Sequence, residues 1–290
     1  MPPTAPRRLI VTADDFGLSV EVNEAVEEAH RNGVLTGASL LVTGPAAGDA
    51  IRRARRLPTL GLGLHLALYD APPAAPPAAI PGLLGADGAL GEQPGATGAA
   101  IALSPALRRQ VRREVAAQFE ACARTGLPIR HLDGHWHCHE HPWVLKIAIA
   151  IGRPLGLRTV RIPYEPYRPS LAAAGNRNRA RRLAHAAAHR PLAAAMRRQV
   201  RRAEMRANDW FFGKNDSGHV DADRLLGLIG NLPAGVSEIG LHPATGRSAG
   251  PHRPPAGWDP AGELAGLLDP RVRAACAAQG VGLWRFDDLG

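Results

Sequence analysis

Short apolar, β-branched runs alternate along the first part of the chain with segments whose apolar residues recur every three or four positions. The runs at Arg8–Thr12, Thr36–Val42 and Leu60–Leu68 predict β-strands. Between them, Val20–Asn32 and Pro45–Leu57 carry apolar stripes with helical spacing. This alternation of strand and helix predicts parallel strands joined by helical crossovers.

The same alternation continues toward the end of the chain. Further helices are predicted at Pro105–Thr125, 143–152, Asp221–Leu232, Pro260–Leu268 and Pro270–Gln279, and further strands at 131–133, Arg158–Pro163, Gly235–Leu241 and Val281–Phe286. No internal repeat and no domain boundary is visible in the pattern. We therefore expect residues 1–290 to form a single α/β domain.

Two segments depart from this pattern. Residues 71–100 are rich in Pro, Gly and Ala and lack periodicity, which is typical of a functional lid or a disordered loop. Residues 168–206 are rich in Arg and Ala and have helical propensity, and we expect the helix to break at Pro191. The second segment therefore predicts a helical insertion.

The formal net charge of +9 comes from a single stretch of the chain. Residues 177–206 contain ten Arg, no Lys and one acidic residue, Glu204, so the remainder of the chain is neutral. One interpretation is a solvated helical face. The other is peripheral contact with an anionic membrane surface, because clustered Arg beside apolar residues favours anionic headgroups. Nucleic acid is not an expected partner, since aromatic residues do not interleave with the Arg run.

Cysteine content and hydrophobicity point to a cytoplasmic location. The hydrophobic fraction of 45% is sufficient for a core, and the odd number of cysteines indicates reduced thiols (Cys122, Cys138 and Cys276). No segment has the pattern of a signal peptide or a membrane span. We expect a cytoplasmic protein, with peripheral association at the inner membrane as the alternative; its oligomeric state stays open, a homo-oligomer included.

Five of the twelve histidines fall within His131–Pro142, which reads HLDGHWHCHEHP. Asp133, His135, His137 and His139 alternate, so an extended backbone would place all four side chains on one face. Imidazole and carboxylate together suit zinc, manganese or cobalt. A histidine-rich surface loop that binds metal adventitiously is the alternative, although strand-like and helix-like patterns flank this stretch.

Three other strand ends carry ionisable groups. Asp14 and Asp15 follow the first strand, His65 lies in the third, and His242 follows Gly235–Leu241. A lone histidine in an apolar strand is more often a core residue, and an Asp pair is more often a turn or a helix cap. In a parallel barrel, however, the carboxyl ends of all strands meet at one rim, so these groups would converge with the histidine cluster. Together they predict a metal site.

The motifs TADDFGLS, GLHL, HLDGHWHCHEHP and EIGLHPA resemble, in this order, those of the YdjC-like carbohydrate deacetylases. The resemblance extends over nearly the whole chain. Several longer segments, among them LSVEVNEAVEEAHRNGVLTGASLLV and LLDPRVRAA, are similar to the branch associated with hopanoid biosynthesis. The resemblance implies a deformed (β/α) barrel like that of the NodB and YdjC deacetylases, and metal-assisted hydrolysis of an N-acetyl group on a glucosamine unit.

For the hopanoid branch the implied substrate is an N-acetylglucosaminyl bacteriohopanetetrol, and the implied product is the glucosaminyl lipid. A soluble chitooligosaccharide is the alternative substrate. Two other metal chemistries also stay open. These are a phosphoesterase, and an iron(II) oxygenase that uses two histidines and one carboxylate.

The resemblance also assigns roles to individual residues. Asp15, His65 and His135 would hold one divalent metal ion, with Zn²⁺ or Mg²⁺ expected and Mn²⁺ or Co²⁺ as alternatives. Asp14 would be the general base and His242 the general acid. His139 could replace His135, because the pair has the H-x₃-H spacing of the related NodB-type deacetylases. Additional metal or substrate contacts are expected from Asp133, His137 and His139.

Overall fold

The strands pair side by side in one sheet. The computed structural model describes residues 6–91, 94–246 and 255–290. Within these ranges the strands are β1 (Arg7–Phe16), β2 (Gly37–Leu40), β3 (Gly61–Leu66), β4 (Ile129–Gly134), β5 (Thr159–Val160), β6 (Arg206–Ala207), β7 (Trp210–Phe212), β8 (Gly235–Leu241) and β9 (Val281–Leu283). Their order is β6-β5-β4-β3-β2-β1-β8-β7, with β9 also paired to β1. Every pairing is parallel.

The sheet curls until its two ends meet. β6 and β7 stand at opposite ends of the strand order, yet only Asn208 and Asp209 separate them along the chain. The Asn208 side chain joins the two ends, accepting from the Ile162 backbone N–H at 2.7 Å and donating to the carbonyl of Trp210 at 2.9 Å. The prediction of a deformed barrel of parallel strands is therefore confirmed.

Helices cover the outside of this sheet. They are α1 (Val20–Asn32), α2 (Ala47–Ala54), α3 (Pro94–Leu103), α4 (Pro105–Arg124), α5 (Pro142–Gly152), α6 (Tyr167–Ala173), α7 (Arg179–Arg202), α8 (Ala222–Gly230), α9 (Pro260–Leu268) and α10 (Pro270–Ala278). The long periodic segments were predicted within a few residues of these bounds. Side-chain caps explain two of the starts, since Ser19 and Ser104 accept from backbone N–H groups of α1 and α4.

Two predictions near the strand ends are wrong. β1 extends through Asp14 and Asp15 to Phe16, although the two aspartates were expected to follow the strand. β4 ends at Gly134, and the next six residues form 3₁₀ turns in place of the extended strand that would have aligned four metal-binding side chains. Trp136 and His137 have left-handed backbones, with φ of 50° and 53°, which turn the chain back over the end of the strand.

The two irregular segments are more regular than their composition suggested. α7 continues through Pro191, so the expected break there is wrong. This proline is exposed, and helix-forming alanines surround it, so the loss of one backbone hydrogen bond is tolerated. Before Pro94, the described part of the Pro-rich segment packs on α4, where the Ala74 and Ala75 N–H groups each donate to Glu114 at 2.9 Å. Among the described residues, no helix is long and apolar enough to cross a bilayer.

Candidate active site

The ionisable groups at the strand ends open into one cleft of about 550 Å³. β1 supplies Asp14 and Asp15, β3 supplies His65, the turn after β4 supplies His135, and the residue after β8 is His242. Because the strands run parallel, their carboxyl ends lie at one edge of the curled sheet and present these side chains together. This is the convergence expected from the topology.

Asp15, His65 and His135 lie close enough together to hold a metal ion, and we call them the metal-binding set. One ligand atom from each lies within 4.8 Å of the others. The Asp15 Oδ1 atom is 3.2 Å from His65 Nε2 and 2.9 Å from His135 Nδ1. Although burial by itself would raise the pKa of Asp15, the two histidines outweigh it and hold the pKa well below its usual range. One carboxylate and two imidazoles therefore face each other, a donor set that fits a borderline divalent cation.

A distortion of β1 lets two neighbouring aspartates reach the same cleft. Successive side chains of a regular strand point to opposite faces, yet Asp14 and Asp15 both line the cleft. The register with β2 shifts between Ala13 and Phe16, and Asp15 has a left-handed backbone with φ of 61°. This local irregularity turns Asp15 toward the histidines while Asp14 keeps different partners.

Asp133 contacts His65 from the side opposite Asp15. The His65 Nδ1 atom is 2.8 Å from Asp133 Oδ1, which leaves Nε2 directed at Asp15. A carboxylate behind a histidine ligand fixes the ring orientation and increases its basicity. Burial alone would lower the pKa of His65, but Asp133 raises it to about 10. The surroundings of His65 therefore stabilise a positive charge, which a bound metal ion would supply.

A buried arginine, Arg161, holds the carboxylates behind this set. Its Nη1 and Nη2 atoms donate to the two oxygens of Asp14 at 2.7 and 2.8 Å, and Nη2 lies 2.9 Å from Asp133 Oδ2. Its Nε atom also donates to Glu238 at 2.9 Å. Asp14, His65 and Asp133 form a second group with metal-ligand spacing, but both of its carboxylates already form ion pairs with Arg161. The geometry therefore favours the group built on Asp15.

Glu238 is the third carboxylate around Arg161. Burial raises the pKa of Glu238 to about 7, and the nearby Asp133 and Asp14 add to this effect against the opposing pull of Arg161. One guanidinium cannot balance three carboxylates, so a proton on Glu238 relieves part of the repulsion. Sequence reasoning missed both Arg161 and Glu238. A signal was present, because each is a charged residue next to an apolar residue inside a segment predicted as a strand.

His242 faces Asp14 across the cleft. Its Nε2 atom is 4.0 Å from Asp14 Oδ2, and its backbone N–H donates to Glu263 at 2.6 Å. The ring packs against Trp258 with centroids 4.6 Å apart. The backbone and the ring of His242 are therefore both held in place, and its imidazole faces Asp14, the carboxylate that Arg161 orients.

The structure separates the other histidines of the cluster from the metal-binding set. His137 lines the cleft but packs against Phe211, with ring centroids 5.7 Å apart. His139 is buried, and its Nε2 atom lies 3.1 Å from the Arg161 carbonyl oxygen. Burial lowers the pKa of His139 to about 4, so its ring is neutral. Of the two alternatives, His135 and His139, the structure brings His135 to Asp15, because the left-handed turn ends the strand alternation.

Comparison with known proteins gives three findings. The chain matches the model of a family described as YdjC-like protein over residues 8–278. It is 35% identical over 308 residues to a carbohydrate deacetylase of Mus musculus, an alignment that covers 97% of this chain and 94% of the relative. It is 37% identical over 158 residues to a chitooligosaccharide deacetylase of Salmonella schwarzengrund (strain CVM19633), covering 53% of this chain and 60% of the relative.

Among solved structures, a candidate cellobiose-phosphate cleavage protein from Enterococcus faecalis V583 superposes with a TM-score of 0.73 at 23% identity. That superposition covers 99% of this chain and 100% of the other. At this level of identity the likeness is one of fold.

Proposed function

The chain belongs to the YdjC-like protein family, and from this premise we propose that it is a metal-dependent carbohydrate deacetylase that removes the acetyl group from an N-acetylglucosamine unit. The observation that carries the proposal is the set of Asp15, His65 and His135, which lies in one cleft with Asp14 and His242. Amide hydrolysis needs an activated water, a stabilised oxyanion and a protonated leaving amine, and this cleft offers a group for each.

The metal-binding set is proposed to hold one divalent ion. Two imidazoles and one carboxylate suit Zn²⁺, Co²⁺ or Mn²⁺ better than Mg²⁺, which prefers oxygen ligands. A bound ion of this kind would polarise the acetyl carbonyl and would lower the pKa of a water molecule to about 7. Asp15, His65 and His135 would be its ligands, with Asp133 orienting His65 through their 2.8 Å hydrogen bond.

Asp14 and His242 are proposed to move the protons. The Asp14 carboxylate is oriented by Arg161 and by the Ser39 hydroxyl, which donates to it at 3.2 Å. In this position Asp14 would accept the proton of the attacking water. His242, 4.0 Å from Asp14, would protonate the leaving amine. Positioned acids and bases of this type typically each contribute ~10²–10⁴-fold to the rate.

The proposed substrate is a soluble oligosaccharide of N-acetylglucosamine. Curated relatives named carbohydrate deacetylase and chitooligosaccharide deacetylase support this choice. The apolar neighbours of the clustered arginines, Met196 and Val200 on α7 and Met205 just after it, are buried in the core. The surface that the Arg-rich segment exposes to solvent is therefore mainly charged.

A second candidate substrate is an N-acetylglucosaminyl hopanoid. The observation that favours it is the row of exposed arginines along and beside α7, which are Arg177, Arg179, Arg181, Arg190, Arg198, Arg201, Arg202 and Arg206. Each basic residue near an anionic surface contributes about 1 kcal/mol of attraction. If this patch brings the site to a membrane, vesicles containing anionic lipid should sediment the protein in a salt-sensitive way. Sedimentation that does not depend on anionic lipid or on salt would contradict the membrane contact.

The deciding experiment compares acetate release from diacetylchitobiose and from an N-acetylglucosaminyl hopanoid in vesicles, each with and without a chelator. We expect chelator-sensitive release from the sugar. Release from the lipid alone would support the proposed deacetylation but would make the hopanoid, and not the soluble oligosaccharide, the substrate. No release from either substrate by metal-loaded protein would contradict the proposed function, and activity on phosphate esters or dependence on oxygen would then identify the competing metal chemistry.

A further inference from the structure

A second polar cluster lies in the same cleft, on residues that the proposed chemistry does not use. We call Glu140, His185, His189 and Lys214 the distal cluster; all four line the cleft. The Lys214 ammonium donates to Glu140 Oε1 at 2.7 Å. The His189 Nδ1 atom lies 3.3 Å from the Glu140 carboxylate and 3.3 Å from Lys214 Nζ, and its ring is 4.4 Å from that of His185.

Three separate parts of the chain build this cluster. Glu140 ends the turn after β4, Lys214 follows β7, and both histidines project from α7. The helix that carries the Arg-rich surface therefore also supplies a wall of the cleft. This second role gives α7 a position in substrate binding that does not depend on any membrane contact.

The ion pair is desolvated although it opens into the cleft. The Glu140 and Lys214 side chains are only 15% and 12% exposed. Burial lowers the pKa of Lys214, whereas His189 and Lys214 lower that of Glu140 in spite of its burial. Removing two charges from water is costly, and their mutual attraction often only balances that cost. A buried pair that lines a cleft therefore indicates a use in recognition.

Lysine itself is rare in this chain, which has only two among its 35 basic residues, Lys146 and Lys214. Lys146 is exposed on α5 and is not among the residues that line the cleft. An ammonium group donates three hydrogen bonds in adjustable directions, whereas the arginine that dominates elsewhere presents a rigid planar fork. Donors of this kind can follow the varied directions of the hydroxyl groups on a sugar ring.

The composition of the distal cluster selects the chemistry of its ligand. A carboxylate accepts hydrogen bonds, an ammonium donates them, and imidazoles can do either, so the set is complementary to groups that do both. Sugar hydroxyls have this property. A phosphate would be repelled by Glu140. A hydrocarbon tail would leave the polar groups of the distal cluster without hydrogen-bond partners, and a ligand that does so binds much more weakly.

The cleft also has space and apolar surface for more than one sugar. Its volume of about 550 Å³ lies within the range of roughly 300–1,000 Å³ typical of sites for drug-sized ligands. Trp136, 54% exposed, stands in the cleft wall and offers an aromatic face to the apolar side of a sugar ring. An acetamido sugar at the metal-binding set would leave the distal cluster available to the next unit.

We propose that the distal cluster is a subsite that hydrogen-bonds the hydroxyl groups of a second sugar unit, linked to the N-acetylglucosamine that loses its acetyl group. This inference rests on the proposed function and specifies its substrate class. It favours an oligosaccharide of at least two units over a single sugar and disfavours a substrate whose next group is a hydrocarbon.

The test measures kcat and KM for N-acetylglucosamine and for diacetylchitobiose with the metal-loaded enzyme. Wild type should prefer the disaccharide in kcat/KM by roughly tenfold to a hundredfold, the range expected for hydrogen bonds to charged groups. The double variant Glu140→Gln/Lys214→Met should lose this preference, mainly through a higher KM for the disaccharide. Removing both charges together leaves no unpaired buried ion, so this variant is designed to fold.

Two further variants keep the test decisive. Lys146→Met makes the same chemical change outside the cleft and should retain the wild-type preference. His189→Phe leaves the Glu140–Lys214 pair intact and should also reduce the preference, so the test stands even if the double variant does not fold.

Equal kcat/KM for both sugars in wild type would overturn the subsite, and so would an unchanged preference in both cleft variants. Either result would leave the proposed deacetylase intact. By contrast, the absence of acetate release from every N-acetylated substrate by wild type would overturn the proposed function itself.

Discussion

The two Nη atoms of Arg161 donate hydrogen bonds to the two carboxylate oxygens of Asp14, at 2.7 and 2.8 Å. This contact distinguishes two aspartates that are adjacent in sequence. Asp14 is turned toward a buried guanidinium, whereas Asp15 faces His65 and His135. The division of labour proposed for the pair, proton transfer by one and metal binding by the other, follows from these different partners.

Replacing either proposed proton-transfer residue should separate turnover from metal binding. Asp14→Asn keeps the shape of the side chain but removes the base, and His242→Ala removes the acid. We expect each to lower kcat by ~10²–10⁴-fold with bound metal at the wild-type level, measured by elemental mass spectrometry on the same samples. Loss of metal from Asp14→Asn would mean that the roles of Asp14 and Asp15 are reversed.

Metal content should distinguish the histidines of the cluster from one another. His135→Ala removes a group that lies 2.9 Å from Asp15 and should abolish stoichiometric metal binding. His139→Ala should retain the metal, because its ring contacts the Arg161 carbonyl and lies outside the metal-binding set. The measurement is metal stoichiometry after dialysis. Retention by His135→Ala together with loss by His139→Ala would favour the H-x₃-H alternative.

Asp133 should affect metal affinity without contacting the metal. Asp133→Asn weakens the hydrogen bond that orients His65, and such changes typically cost ~10–100-fold in metal affinity. Competition with a chromophoric chelator would measure the dissociation constant. Ser39→Ala, which removes a hydroxyl donor to Asp14, is the control expected to keep wild-type affinity. Equal affinity in wild type and Asp133→Asn would contradict the orienting role.

Glu238 should make stability depend on pH in a definite direction. Its pKa is raised from the usual 4.5 to about 7 in the folded protein. The folded state therefore retains a proton that the unfolded state has lost, so the stabilising contribution is complete below pH 4.5 and disappears as the pH rises through about 7. Glu238→Gln cannot titrate. The unfolding free energy of wild type minus that of this variant should fall as the pH rises from 4.5 to about 7.

Urea unfolding at several pH values between those limits would measure this difference. Glu28→Gln, the same substitution at an exposed position on α1, is the matched control, and the fall with pH should be specific to Glu238→Gln. A flat difference for Glu238→Gln as well would mean that its carboxyl titrates normally in the folded protein.

Local pattern accounts for much of the fold and for the proposed ligands. α1, β8 and α9 were predicted with their observed bounds because periodicity and capping residues are properties of neighbouring positions. β6 and β7 were not predicted, since neither contains a β-branched residue of the kind that marks the equally short β5 and β9. They exist because the curled sheet brings their backbones beside β5 and β8.

The sequence by itself determined which chemical groups stand at the strand ends, because strand alternation, helix periodicity and motif order depend only on residues near one another in the chain. Only the tertiary structure decided how those groups are used. The left-handed turn at Trp136 and His137 makes His135 the partner of Asp15. The guanidinium of Arg161, the residue after β5, binds Asp14 and so gives the two aspartates different partners. These choices depend on contacts between segments as far apart in sequence as Asp14 and Arg161, which form only once the sheet has curled.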